Sequence, residues 1–158
     1  MLKVGGKAPD FKATTTQGDR VELSDLMGKK NLVLFFYPKD NSLGCTREAC
    51  YFRDTKAEFE KRNAVILGVS LDTEASHQRF REKHSLNFPL ISDKGKELSQ
   101  MFGTLRLGGL LLLKRVTFVI DKDGIIRKVI RSETDMHTHV DTALEALGIG
   151  FGITEKNE

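Results

Sequence analysis

The chain has 158 residues, 39 % hydrophobic and 30 % charged, and its 25 lysines and arginines against 22 acids leave a net charge of only +3. The basic residues are interleaved with acids, which excludes a stripe for nucleic acid, and no apolar run approaches the ~18 residues that a membrane span needs. Residues 1–10 lack the charged start, apolar middle and small-residue cleavage site of a signal peptide, so a soluble, cytoplasmic protein is expected, with one domain over 1–158.

Phe11 to Thr15 and Arg20 to Leu23, on either side of Gly18-Asp19, predict a small β-hairpin, and Ser24 is placed to cap a short helical turn that Gly28 ends. Asn31 to Tyr37 is an apolar run that predicts a buried strand, and Pro38 to Gly44 is a turn-rich loop leading into a helix from Cys45 through Arg62. On that helix Cys45, Ala49, Phe52 and Phe59 form the inward stripe. Cys50 shares a face with Asp54, Ala57 and Lys61, so it is expected nearer solvent. Ala64 to Leu71 predicts a central strand, and Asp72 or Thr73 a cap for the helix Glu74 to His84, with Phe80 inward. A short strand at Phe88 to Ile91 and a helix from Gly95 to Phe102 closed by Gly103 follow. Some of the four successive leucines Leu110 to Leu113 are expected to be exposed, because four in a row cannot all face a core. Arg115 to Ile120, the turn Asp121 to Gly124, and Ile125 to Ile130 predict an antiparallel hairpin. The last helix, about His137 to Leu147, stops at Gly148, and 150–158 is expected to be a flexible tail. The order predicts an α/β fold with a mixed parallel and antiparallel sheet and helices on both faces. The loop from Pro38 then lies at the carboxyl end of a strand, where open α/β sheets place their sites.

Cys45 and Cys50 are the only thiols. Cys45 falls in the first turn of its helix, where free backbone N–H groups and the positive end of the helix dipole stabilise a thiolate. Five residues of helix rotate the second thiol to another face and place the two Cα atoms roughly 8–9 Å apart, beyond the ~4.4–6.8 Å of a disulfide. Any bridge between them therefore requires the first turn to unwind, which predicts a transient disulfide over a structural one. No histidine lies near either thiol in sequence, so no zinc site is expected. The four histidines are expected at the surface or as caps, without a catalytic role.

The string Pro38-x-x-x-Ser42-x-x-Cys45, the following Thr46-Arg-Glu48-Ala-Cys50-x-Phe52-Arg-Asp54, and Arg115-Val-Thr117-Phe-Val-Ile-Asp121 resemble the peroxiredoxins. Within them the likeness is to the bacterioferritin-comigratory-protein or Q-type subgroup, shared also by Gly6-Lys-Ala-Pro9-Asp-Phe11 and Phe88-Pro-Leu-Ile-Ser-Asp93. Ser42 stands where the family usually has Thr, and Leu43 where the subgroup often has Pro. The resemblance implies a thioredoxin-like fold and a peroxidase that reduces hydrogen peroxide and alkyl hydroperoxides. It implies Cys45 as the peroxide-attacking thiol, Arg115 as the group that favours thiolate and reacting oxygens, and Ser42 as the hydroxyl that orients the peroxide. Pro38 would cover the site, Glu48 would partner Arg115, and Cys50 would condense with the sulfenic acid of Cys45 after local unwinding. A thioredoxin-like dithiol would restore the thiols; no metal, haem or flavin is implied, and the protein is expected as a monomer or homodimer. On this reading the leucine run would serve subunit contact or bulky hydroperoxides.

Two other functions fit a thiol on such a sheet. A disulfide reductase typically uses Cys-x-x-Cys, whereas four residues separate the thiols here. A redox-sensing or holdase-like binding protein would use the same helix unwinding without turnover.

Overall fold

Asn31 to Phe36 is apolar on both faces because it becomes the central strand of a five-stranded sheet, covered on each side. The structure, a computed structural model, describes residues 2–106 and 113–148. An antiparallel pair β1 (Lys12–Thr14) and β2 (Arg20–Glu22) leads through α1 (Leu23–Leu26) to β3 (Asn31–Phe36), α2 (Leu43–Asp54) and α3 (Lys56–Lys61). The chain continues as β4 (Ala64–Ser70), α4 (Glu74–His84), β5 (Leu90–Ser92), α5 (Glu97–Phe102), β6 (Val116–Ile120), β7 (Ile126–Arg131) and α6 (Met136–Gly148). The sheet order is β5-β4-β3-β6-β7, with β3, β4 and β5 parallel and β6 and β7 antiparallel additions. This is the mixed sheet read from the sequence.

Alternation along β3 divides the core. Val33, Phe35 and Tyr37 pack with Phe52, Phe59, Phe80 and Val140 under α2, α3, α4 and α6, while Leu32, Leu34 and Phe36 pack with Phe11, Leu98 and Phe102 on the other face. Phe35 pairs in register with Gly68. A Cβ at 68 would lie 2.8 Å from the Phe35 ring and 2.7 Å from Leu90, so the glycine is what lets the ring lie across β4.

Three local expectations need correction. The Cys45–Arg62 helix is two helices broken at Thr55, whose hydroxyl donates to the Tyr51 carbonyl at 2.7 Å and so competes with the helical ladder. Ser24 caps nothing: α1 starts after Glu22, and the Ser24 N–H donates to the Asp10 carboxylate at 3.2 Å. The fifth strand starts after Pro89, which has no N–H for the ladder, though its carbonyl accepts from Gly68. Leu113 is buried and bridges Leu105, whereas Leu110 to Leu112 and the tail 150–158 lie outside the described residues. Among the described residues no helix is long and apolar enough to cross a membrane.

Candidate active site

Sheet register brings the reactive groups together. Phe36 opposes Val116 across the antiparallel β3/β6 pair, so the next step along places Arg115 beside the end of β3, where the loop 38–42 begins. The loop turns at Asn41, whose φ of +63° is the left-handed conformation that asparagine tolerates, and delivers Ser42 as the N-cap of α2. The Ser42 hydroxyl accepts the Cys45 N–H at 3.4 Å and donates to the Lys39 carbonyl at 3.0 Å.

Cys45 is buried in the first turn of α2, and Arg115 reaches it from β6. A single guanidinium nitrogen, Nη1, serves two acids: it donates to the Cys45 Sγ at 3.3 Å and to Glu48 Oε1 at 2.8 Å. Nε points instead to the Glu133 carbonyl at 3.4 Å, and the Glu133 carboxylate accepts the Arg115 backbone N–H at 3.1 Å. Gly44 makes this approach possible, because a Cβ there would lie 3.1 Å from Arg115 Nη2 and 2.7 Å from the Met136 methyl. Burial would lower the guanidinium pKa, but Glu48 and Cys45 outweigh it, and the net direction is upward. The cation is therefore permanent and stands directly against the Cys45 sulfur.

Glu48 is fully buried on α2. Desolvation raises its carboxyl from 4.5 to about 7, against the pull of Arg115 and with Glu133 adding repulsion. Its second oxygen, Oε2, has no hydrogen-bond donor and lies 3.6 Å from Nδ1 of His139, which is also buried. The His139 Nε2 faces the Ser132 carbonyl at 2.8 Å and must donate to it. Burial and the charge of Arg115 lower the imidazole pKa, so the neutral ring presents a lone pair at Nδ1, which accepts the Thr117 hydroxyl at 2.8 Å. Oε2 thus faces an acceptor, which favours a proton on Glu48.

The folded pKa lies above the unfolded one, so the contribution of Glu48 is present in full below pH 4.5 and is lost as pH rises through about 7. The loss amounts to about 3 kcal/mol. Glu48→Gln is expected to remove that slope, measured as urea unfolding of the reduced protein at pH 5 and pH 8.

The remaining sequence-derived residues are placed as follows. Pro38 is half-buried on the loop, and Cys50 is half-buried on α2, free and on a different face from Cys45. The sequence reading missed His77 and His139: far from being surface or capping residues, both are wholly buried and bonded to other side chains. Their legible signal was spacing, since His139, Ala143 and Leu147 share one apolar stripe, as do His77 and Phe80.

A buried thiol at a helix start, a guanidinium on its sulfur and this sheet define a thioredoxin-fold thiol enzyme. Residues 4–129 match the AhpC/TSA family. The chain is 41 % identical over 151 residues to peroxiredoxin Bcp of Bacillus subtilis, covering 92 % of this chain and 95 % of the relative. The crystal structure of peroxidoxin BcpB from Mycobacterium tuberculosis superposes with a TM-score of 0.87 at 40 % identity, over 93 % of this chain and 97 % of that one. The bacterioferritin comigratory protein of Xanthomonas campestris, a structure concerned with alkyl peroxide reduction, matches with a TM-score of 0.80 at 32 % identity, over 89 % and 91 %. The chain belongs to the AhpC/TSA family. It is a peroxiredoxin, a thiol-dependent peroxidase.

Proposed function

We propose that Cys45 is the peroxide-attacking thiol of an atypical two-cysteine cycle in which Cys50 resolves the oxidised sulfur. The observation that carries this reading is the 3.3 Å contact between Arg115 Nη1 and the Cys45 Sγ in a buried pocket. The Cys45 thiolate attacks one peroxide oxygen. The O–O bond breaks, the sulfur becomes a sulfenic acid, and the departing alkoxide or hydroxide takes up a proton as alcohol or water. Arg115 is the donor for the charge that moves from sulfur to the leaving oxygen. The Ser42 hydroxyl and the Cys45 N–H, held against each other at 3.4 Å, orient the incoming peroxide. Pro38 shields the sulfenic acid from water. Glu48 holds Nη1 toward the sulfur.

The first turn of α2 then unwinds, and the Cys50 thiol condenses with the sulfenic acid, forming the S–S bond and releasing water. A thioredoxin-like dithiol reduces that bond and is itself oxidised. Hydrogen peroxide and organic hydroperoxides are the substrates. Leu43, 70 % exposed and two residues before Cys45, offers apolar surface to an organic tail, in line with the alkyl peroxide activity named for the Xanthomonas relative. The unit works in the cytoplasm as a monomer or homodimer.

Peroxide-dependent NADPH oxidation through thioredoxin and thioredoxin reductase tests the reading. The wild type is expected to turn over, and Cys45→Ser to fall to background; equal rates in the two proteins would refute it.

A further inference from the structure

Beneath the loop 38–42 lies a second buried polar cluster that none of the steps above uses. The Asp40 side chain is 1 % exposed and accepts three hydrogen bonds: from the Tyr37 hydroxyl at 2.6 Å, the Ser76 hydroxyl at 2.8 Å and His77 Nδ1 at 2.7 Å. The Asp40 backbone N–H donates to Asp72 Oδ2 at 2.8 Å, and the Ser70 hydroxyl donates to the same oxygen at 2.7 Å. His77 Nε2 faces the Ile91 carbonyl at 3.1 Å, which can only accept. Nε2 therefore donates to Ile91 while Nδ1 lies against the Asp40 carboxylate. Asp40, Asp72 and His77 bring ligand-type atoms within 4.8 Å of one another. Those of Asp40 and Asp72 already accept hydrogen bonds from Tyr37, Ser70, Ser76 and His77, so the cluster is a closed network and not a cation seat.

Its position gives it a use. Tyr37, which follows β3, and Ser76 and His77, near the start of α4, bond the Asp40 carboxylate, and Asp72, which follows β4, accepts its N–H, so residues from three parts of the fold hold one loop residue. That residue stands two positions after Pro38 and two before Ser42, next to the left-handed turn at Asn41. The bond from the Ser42 hydroxyl to the Lys39 carbonyl spans that turn within the loop, and the Asp40 side chain is what ties it to the body of the fold.

We propose that Asp40 and His77, with Tyr37 and Ser76, are positioning residues that clamp the 38–42 loop so that Pro38 and the Ser42 hydroxyl meet the peroxide beside the Cys45 sulfur. The proposal rests on Cys45 being the peroxide-reacting thiol. The clamp acts on peroxide geometry, while the cation at the sulfur comes from β6, outside the loop, and stays in place when the clamp is broken.

The test compares two reactions of Cys45 in a Cys50→Ser background: oxidation by hydrogen peroxide, which needs the loop to orient the peroxide, and alkylation by iodoacetamide, which reaches the same buried sulfur with no peroxide to orient. Asp40→Asn is expected to slow oxidation about tenfold or more while alkylation stays within about twofold, since small misplacements of reacting groups carry costs of that order. Tyr37→Phe removes one donor from the cluster and is expected to move the ratio of the two rates in the same direction by a smaller factor. Should Asp40→Asn fail to fold, Tyr37→Phe and Ser76→Ala decide by the same ratio. An unchanged ratio, whether both rates fall together or neither does, would overturn the clamp. A parent protein that is alkylated but not oxidised would instead overturn the peroxidase reading of Cys45, and the clamp with it.

Discussion

Arg115→Met is expected to slow the reaction of Cys45 with hydrogen peroxide by about 10²–10³-fold, the usual cost of removing a preorganised donor from a developing charge. The substitution keeps the aliphatic stem but removes the cation that contacts both Sγ and Glu48. It also strands a buried carboxylate, a change that typically costs about 3–5 kcal/mol. Glu48 can escape part of that cost by taking a proton, because its carboxyl already sits at about 7. The double variant Arg115→Met, Glu48→Gln separates the two effects. It is expected to regain stability in urea unfolding but none of the peroxide rate, measured by stopped-flow oxidation of the thiol. Recovery of the rate alongside stability would mean that Arg115 serves only to neutralise Glu48.

The second large effect concerns resolution. Cys50→Ser is expected to abolish turnover with a thioredoxin-like reductant, a fall of at least about 10²-fold, while the first oxidation of Cys45 stays within about twofold of wild type, because removing the only thiol available to a sulfenic acid blocks the second step alone. The geometry behind this is the intact α2, which spans Leu43–Asp54 and carries both thiols on different faces. To meet, they must break the Ser42 cap, the Thr46 N–H bond to the Ser42 carbonyl, and the Arg115 contact at the sulfur. Farther along the same helix, the Tyr51 hydroxyl donates to Asp141 at 2.6 Å and its ring lies over His137, tying α2 to α6. These contacts lie beyond Cys50, so the first turn and a half can open while the rest of the helix stays docked. Undiminished turnover in Cys50→Ser would move resolution to a thiol from outside the chain.

Elements with a strong period were legible in the sequence, and so was the thiol at the helix start. The β3 run, the hairpin at Asp121 to Gly124 and the inward stripe of α2 each follow from local pattern. What escaped was set by packing between distant segments. Asp40 meets His77 across 37 residues, and Thr117 meets His139 across 22, through the packing of helices on the sheet, which no local window contains. The break at Thr55 also escaped, since it depends on which rotamer the hydroxyl takes to reach the Tyr51 carbonyl. At the site, the helix start alone pointed to Cys45, whereas Ser42, Glu48 and Arg115 were named through the resemblance to the peroxiredoxins; that one guanidinium nitrogen contacts both acids emerged only from the three-dimensional packing.

The most direct measurement is the intact mass of the reduced wild-type protein after one equivalent of hydrogen peroxide, followed by peptide mapping. A loss of two hydrogens, located as a Cys45–Cys50 disulfide, is the predicted result. A protein that keeps both thiols, or one that carries oxygen on Cys50 with Cys45 untouched, would contradict the assignment of Cys45 as the reacting sulfur.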